Sequence, residues 1–94
     1  MLSDICNAII RDIDLLYEVM MNGGGRLHVA MLIDCINEQI VTVNERLEED
    51  DDPIPVFIEH YNVGGINGEM VPIVTAVERV IDLIELRGSS IWFK

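Results

Sequence analysis

The stretch that most restricts the possible folds is Leu27 to Leu47. Its apolar residues fall at Val29, Leu32, Ile33, Ile36, Ile40, Val43 and Leu47. Steps of three and four keep one side of an α-helix facing a core. Asp34, Glu38, Glu45 and Glu48 take the other side. The stretch predicts a long central helix that the rest of the chain covers.

Residues 3 to 21 predict a first helix. Ser3 is the expected cap, with Asp4 in the first turn, where the helix dipole favours an anion. Leu2, Ile5, Ile9, Ile13, Leu16 and Met20 form an apolar stripe, widened by Ile10, Tyr17 and Val19. Asp4, Asn7, Arg11, Asp14 and Glu18 form a polar one. Asn22-Gly23-Gly24-Gly25 then breaks the helix, and so short a connection makes the first two helices antiparallel neighbours.

The second helix fades into Glu48-Glu49-Asp50-Asp51-Asp52. Asp52-Pro53 has the form of a helix start, and Ile54, Phe57, Ile58 and Tyr61 stand at i, i+3, i+4 and i+7. The spacing predicts a short helix over 54–61, with strand as the competitor because Val56 to Tyr61 is rich in β-formers. Asn62 to Gly68 reads as a second glycine-rich loop. The last helix is expected over Met70 to Arg87, with Pro72 in its first turn and Gly88 as its C-terminal cap. Ser89 to Lys94 is an aromatic tail carrying Trp92 and Phe93. The expected architecture is therefore one all-α domain over residues 1–94, a compact bundle of three longer helices plus one short helix and that tail.

Half of the residues are apolar, including 14 Ile, 10 Val and 8 Leu. A chain of 94 residues has little interior in which to hide them. A homodimer or higher homo-oligomer, or burial against a partner, resolves the strain. A membrane span does not, because the longest apolar run is Val29 to Ile33. The N-terminus, with Asp4 and no basic segment, does not read as a secretory signal. Cys6 and Cys35 fall on apolar faces, and buried free thiols suit a reducing cytoplasm.

Seventeen acids oppose six bases, for a net charge of −11, and the one lysine is Lys94. Such a charge repels nucleic acid and anionic membranes and favours basic partners. It also keeps an apolar small protein dispersed.

No catalytic constellation stands out. Ser3, Ser89 and Ser90 lie near the termini, and His28 and His60 are isolated from one another and from cysteine at ligand spacing. The acidic run lacks the alternating ligands and central glycine of an EF-hand loop. The expectation is a non-enzyme without metal or cofactor. Its first functional reading is an acidic protein-interaction module, an inhibitor or regulator that engages a basic, nucleic-acid-binding surface of a partner. In the extreme form it is a decoy that sets carboxylates where nucleic acid sets phosphates, in the manner of phage-encoded anti-defence proteins. Glu48, Glu49, Asp50, Asp51 and Asp52, with Trp92 and Phe93, are the expected partner-binding residues. A second reading is an oligomeric sponge for a small ligand or nucleotide. There Gly23, Gly24, Gly25, Arg26 and His28, with Gly64 and Gly65, would hold an anion at a helix N-terminus. A third is a structural subunit of a larger assembly.

Overall fold

The computed structural model describes residues 2–49, 51–58 and 63–92, with side-chain surroundings given as far as 86. Among these residues there are three helices: α1 (Leu2–Met21), α2 (Arg26–Arg46) and α3 (Val63–Trp92). Each turns one stripe inward. Cys6, Ile9, Ile13 and Leu16 come from α1, and Val29, Ile33, Ile36, Ile40 and Val43 from α2. Ile66, Met70, Ile73, Val77 and Val80 come from α3. These side chains form a single buried cluster, and each fully buried Ile or Leu stabilises it by about 1.5–3 kcal/mol.

The helix that holds the others together is α1, a correction to the expectation that Leu27–Leu47 would be central. α1 packs on both α2 and α3, whose backbones do not approach each other among the described residues. Its apolar face is broad enough for two neighbours, and Ile10, Val19 and Met20 add to the core from its flanks. α1 begins at Leu2, ahead of Ser3, so Ser3 lies inside the helix instead of capping it.

The turn between α1 and α2 is built as the glycines predict. Gly24 N–H donates to the Val19 carbonyl at 2.7 Å and Gly23 N–H to that of Met20 at 3.3 Å. This pair of bonds is the Schellman arrangement, which needs a left-handed residue just after the helix. Gly23 supplies it with φ +74°. A Cβ on Gly24 would stand 2.8 Å from the Val19 carbonyl oxygen, so only glycine fits there.

Between α2 and α3 lies an extended strap. Residues 52–58 carry no helix, which corrects the short helix expected over 54–61; residues 59–61 lie outside the described residues. Pro53 and Pro55 decide the matter. A residue before proline is pushed to extended backbone, so Asp52 and Ile54 are both held out of the helical region. Ile54 and Phe57 are buried at 2% exposure each, while Ile58 is 81% exposed. A helical face would bury positions 57 and 58 together. A three-residue period, that of polyproline-type extension, buries 54 and 57 alone.

Two asparagines of α2 fix the strap. Asn37 Nδ2 donates to the Phe57 carbonyl at 3.0 Å, and Phe57 N–H donates to Asn37 Oδ1 at 2.8 Å. Asn44 treats Ile54 identically, at 2.9 Å for both bonds. Each amide thus serves the backbone as a strand neighbour would. Two turns of helix rise about 10.5 Å, which three extended residues also span at about 3.3–3.6 Å each. On its other side Ile58 N–H donates to Glu69 Oε2 at 2.7 Å, and Arg79 pairs with Asp52 at 4.0 Å, both exposed. The strap therefore runs back along α2 and delivers the chain to the start of α3 at the turn end. α3 runs parallel to α2 and antiparallel to α1.

α3 is longer than the sequence suggests at both ends. It starts at Val63 and continues through Gly88 to Trp92, so Gly64, Gly65 and Gly68 are helical, Pro72 is interior, and Gly88 is no cap. Burial of Ile66 at 0% exposure and of Met70 outweighs the poor helix propensity of the glycines. Residues 89–92 of the expected tail continue this helix. Phe93 and Lys94 lie outside the described residues. Gly68 has φ in the ordinary range and open space around its missing Cβ. Gly68→Ala is therefore expected to stabilise the fold by about 1 kcal/mol, seen as a rise of about 4–8 °C in Tm. An unchanged or lower Tm would contradict the helical start of α3.

Candidate functional site

The two groups of site residues expected from the sequence sit at opposite ends of α2. The glycine turn precedes Arg26 and the acidic run follows Arg46, and a helix of that length spans about 30 Å. They cannot form one site.

At the turn end, Gly23 and Gly24 have full structural work in reversing the chain. Gly25 caps α2 with its backbone extended, φ −69° and ψ 156°, and without a side-chain bond; its carbonyl accepts from Val29 N–H at 3.1 Å. Arg26 and His28 are exposed in the first turn of α2. Gly64 and Gly65 stand in the first turn of α3, whose start the strap brings to this same end.

At the other end, Glu48 and Asp51 close a local turn. Asp51 N–H donates to the Glu48 carbonyl at 3.0 Å, and Glu48 N–H donates to Asp51 Oδ2 at 3.1 Å. Asp51 therefore shapes the backbone, while Glu48, Glu49 and Asp52 are exposed. Asp50 lies outside the described residues, as do Phe93 and the side chain of Trp92. The acidic run and the aromatic pair are thus not brought together by any described contact.

The thiols part company. Cys6 is fully buried and burial pushes its thiol pKa up, so it stays protonated. Cys35 is exposed, contrary to the expectation that both are buried, and both are free. Cys35 lines an open groove between α1 and α2 with Asp4, Ile5, Ala8, Glu38, Gln39 and Thr42. Gln39 Oε1 is buried there without a donor. Among the described residues no His, Cys, Asp and Glu side chains gather in a group of three that could hold a metal ion. Among the same residues no helix is long and apolar enough to cross a membrane.

A second groove, which the sequence did not reveal, lies between α1 and α3. Ile13, Asp14 and Tyr17 line it from α1, and Met70, Val71, Val74, Thr75 and Glu78 from α3. Tyr17 is 50% exposed and Val71 71%. The available signal was the width of the α1 stripe: Ile10 and Tyr17 extend it towards a second neighbour that covers it only in part.

Asp4 and Glu38 line the first of these grooves and Asp14 and Glu78 the second. Asp4, Asp14 and Glu18 stand on α1, Asp34, Glu38 and Glu45 on α2, and Glu78, Asp82 and Glu85 on α3, all at exposed positions. Comparison with family models, with curated proteins and with solved structures gives no match for this chain.

Proposed function

We propose that the chain is a small acidic protein-interaction module, an inhibitor or regulator that engages a basic surface of a partner protein and acts by binding, without catalysis. The observation that carries this reading is the spread of exposed carboxylates over all three helices in a chain of net charge −11. A field of one sign speeds encounter with a cationic surface and repels duplex nucleic acid and anionic lipid. Glu48, Glu49 and Asp52 extend the field beyond the end of α2 and add long-range steering. A partner whose own ligand is nucleic acid presents the cations that such carboxylates fit. The free thiol of exposed Cys35 suits a reducing, cytoplasmic setting. Exposed Leu27 and Met31 on the outer side of α2 offer an apolar surface for self-association in the same reading.

The test starts from the tagged full chain, used to capture partners from a cytoplasmic extract in low salt. Binding to the purified partner is then followed by calorimetry at about 0.1 and 0.5 M salt, where the screening length falls well below 10 Å. The expected result is a basic partner and an affinity at least tenfold weaker at the higher salt. Equal affinity at both concentrations would refute the reading.

A further inference from the structure

We infer that the groove between α1 and α3 is the docking site for a basic amphipathic helix of the partner. This rests on the reading of the chain as an acidic interaction module and gives that surface a location.

The groove has a volume of about 360 Å³. Its floor is apolar: Ile13 and Met70 belong to the buried core, and Val74 packs against it. Tyr17 and Val71 stand on its two walls, half or more exposed, and Met21, one turn beyond Tyr17, is 67% exposed. Large apolar side chains so placed in a groove between packed helices are the usual seat of an amphipathic helix, which lays its own apolar ridge along the two. A tyrosine with its ring over an apolar floor is the kind of anchor that dominates such interfaces. The strap fills the space between α2 and α3, so it leaves this groove open.

The rims set the sign of the occupant. Asp14 rises from α1 and Glu78 from α3, both exposed and both lining the groove. Glu18 and Asp82 stand one turn further along their helices, toward opposite ends of the groove because α1 and α3 run antiparallel, and the nearest cations in sequence are exposed Arg11 before Asp14 and Arg79 after Glu78. A helix with leucine-like residues on one face and Lys or Arg on its flanks meets both features at once. An acidic helix is repelled. So is a second copy of this groove, whose own rims carry the same Asp14 and Glu78 carboxylates; self-association through Leu27 and Met31 would use α2 instead.

The probe is an 18-residue peptide of leucine and lysine with leucines at i, i+3, i+4 and i+7. It is compared with a peptide of the same composition whose leucines follow no helical period. The full chain, labelled with ¹⁵N, is titrated in about 50 mM salt, where surface charges are little screened. The amphipathic peptide is expected to shift amides over 13–21 and 67–78 and to bind at least tenfold more tightly than its scrambled form. Tyr17→Ala combined with Val71→Asn, both at exposed helical positions, is expected to weaken it at least tenfold. Val41→Asn, at an exposed position of α2 outside the groove, is expected to weaken it less than threefold. Salt-sensitive binding that ignores the leucine pattern, or shifts centred on 45–52, would overturn the groove and leave the acidic module standing. Absence of binding by either peptide would overturn both. A dimer in sedimentation that becomes monomeric on Val71→Asn would assign the groove to a second copy and overturn the inference.

Discussion

Asn37→Ala is expected to destabilise the protein by about 2–4 kcal/mol, because it strips two bonds from the Phe57 backbone and leaves both groups part-buried without partners. A domain of this size has roughly 5–15 kcal/mol in all, so the loss is a large share. Urea unfolding measures it directly as a fall in midpoint. Asn44→Ala acts alike on Ile54. The double variant is expected to lose less than the sum, since freeing one end of the strap already loosens the other. A loss below about 0.5 kcal/mol, the range of an ordinary surface substitution, would mean that the asparagines do not hold the strap.

The second large effect separates two neighbours. Phe57→Ala removes a side chain at 2% exposure from the core and is expected to cost about 3–5 kcal/mol. Ile58→Ala, at 81% exposure, is expected to change stability by no more than about 0.5 kcal/mol. A helix over 54–61 demands large losses at both positions. Thermal or urea denaturation of the two variants decides between a three-residue and a 3.6-residue period, and comparable losses would return the segment to a helix.

Those contrasts mark what the sequence could and could not tell. In α1 and α2 the steps of three and four identified Ile9, Ile13, Leu16, Ile33, Ile36, Ile40 and Val43, and all are buried. Periodicity works there because both helices bury a stripe and a glycine turn separates them. It misleads at Ile54 and Phe57, since a spacing of three fits a helix and an extended chain alike. Pro55 was the deciding residue, through its constraint on Ile54. At Gly64 to Gly68 local propensity argued for a loop, and burial of Ile66 overrode it. Asn37 and Asn44 carry no signal in the sequence, because a side-chain amide shows its purpose only when a backbone arrives to bond it. Of the candidate site, the surface charge was legible as a total. The α1–α3 groove was not, because it depends on α1 being shared by two neighbours.

The asparagine ladder also governs where this chain tolerates a change of length. One residue inserted between Ile54 and Phe57 would advance the strap by about 3.3 Å, while the helix offers its next equivalent position only about 5.4 Å away. No compensating shift brings both backbones back to both amides, so the interval is locked like two combs of matched pitch. The acidic segment ahead of Pro53 closes a local turn between Glu48 and Asp51, and its Asp52 pairs with Arg79 only at an exposed 4.0 Å. Exposed Glu49 stands outside these bonds, so charge can be added or removed at that position without moving a tooth of either comb, which leaves the charge of that end adjustable on a scaffold whose dimensions are fixed.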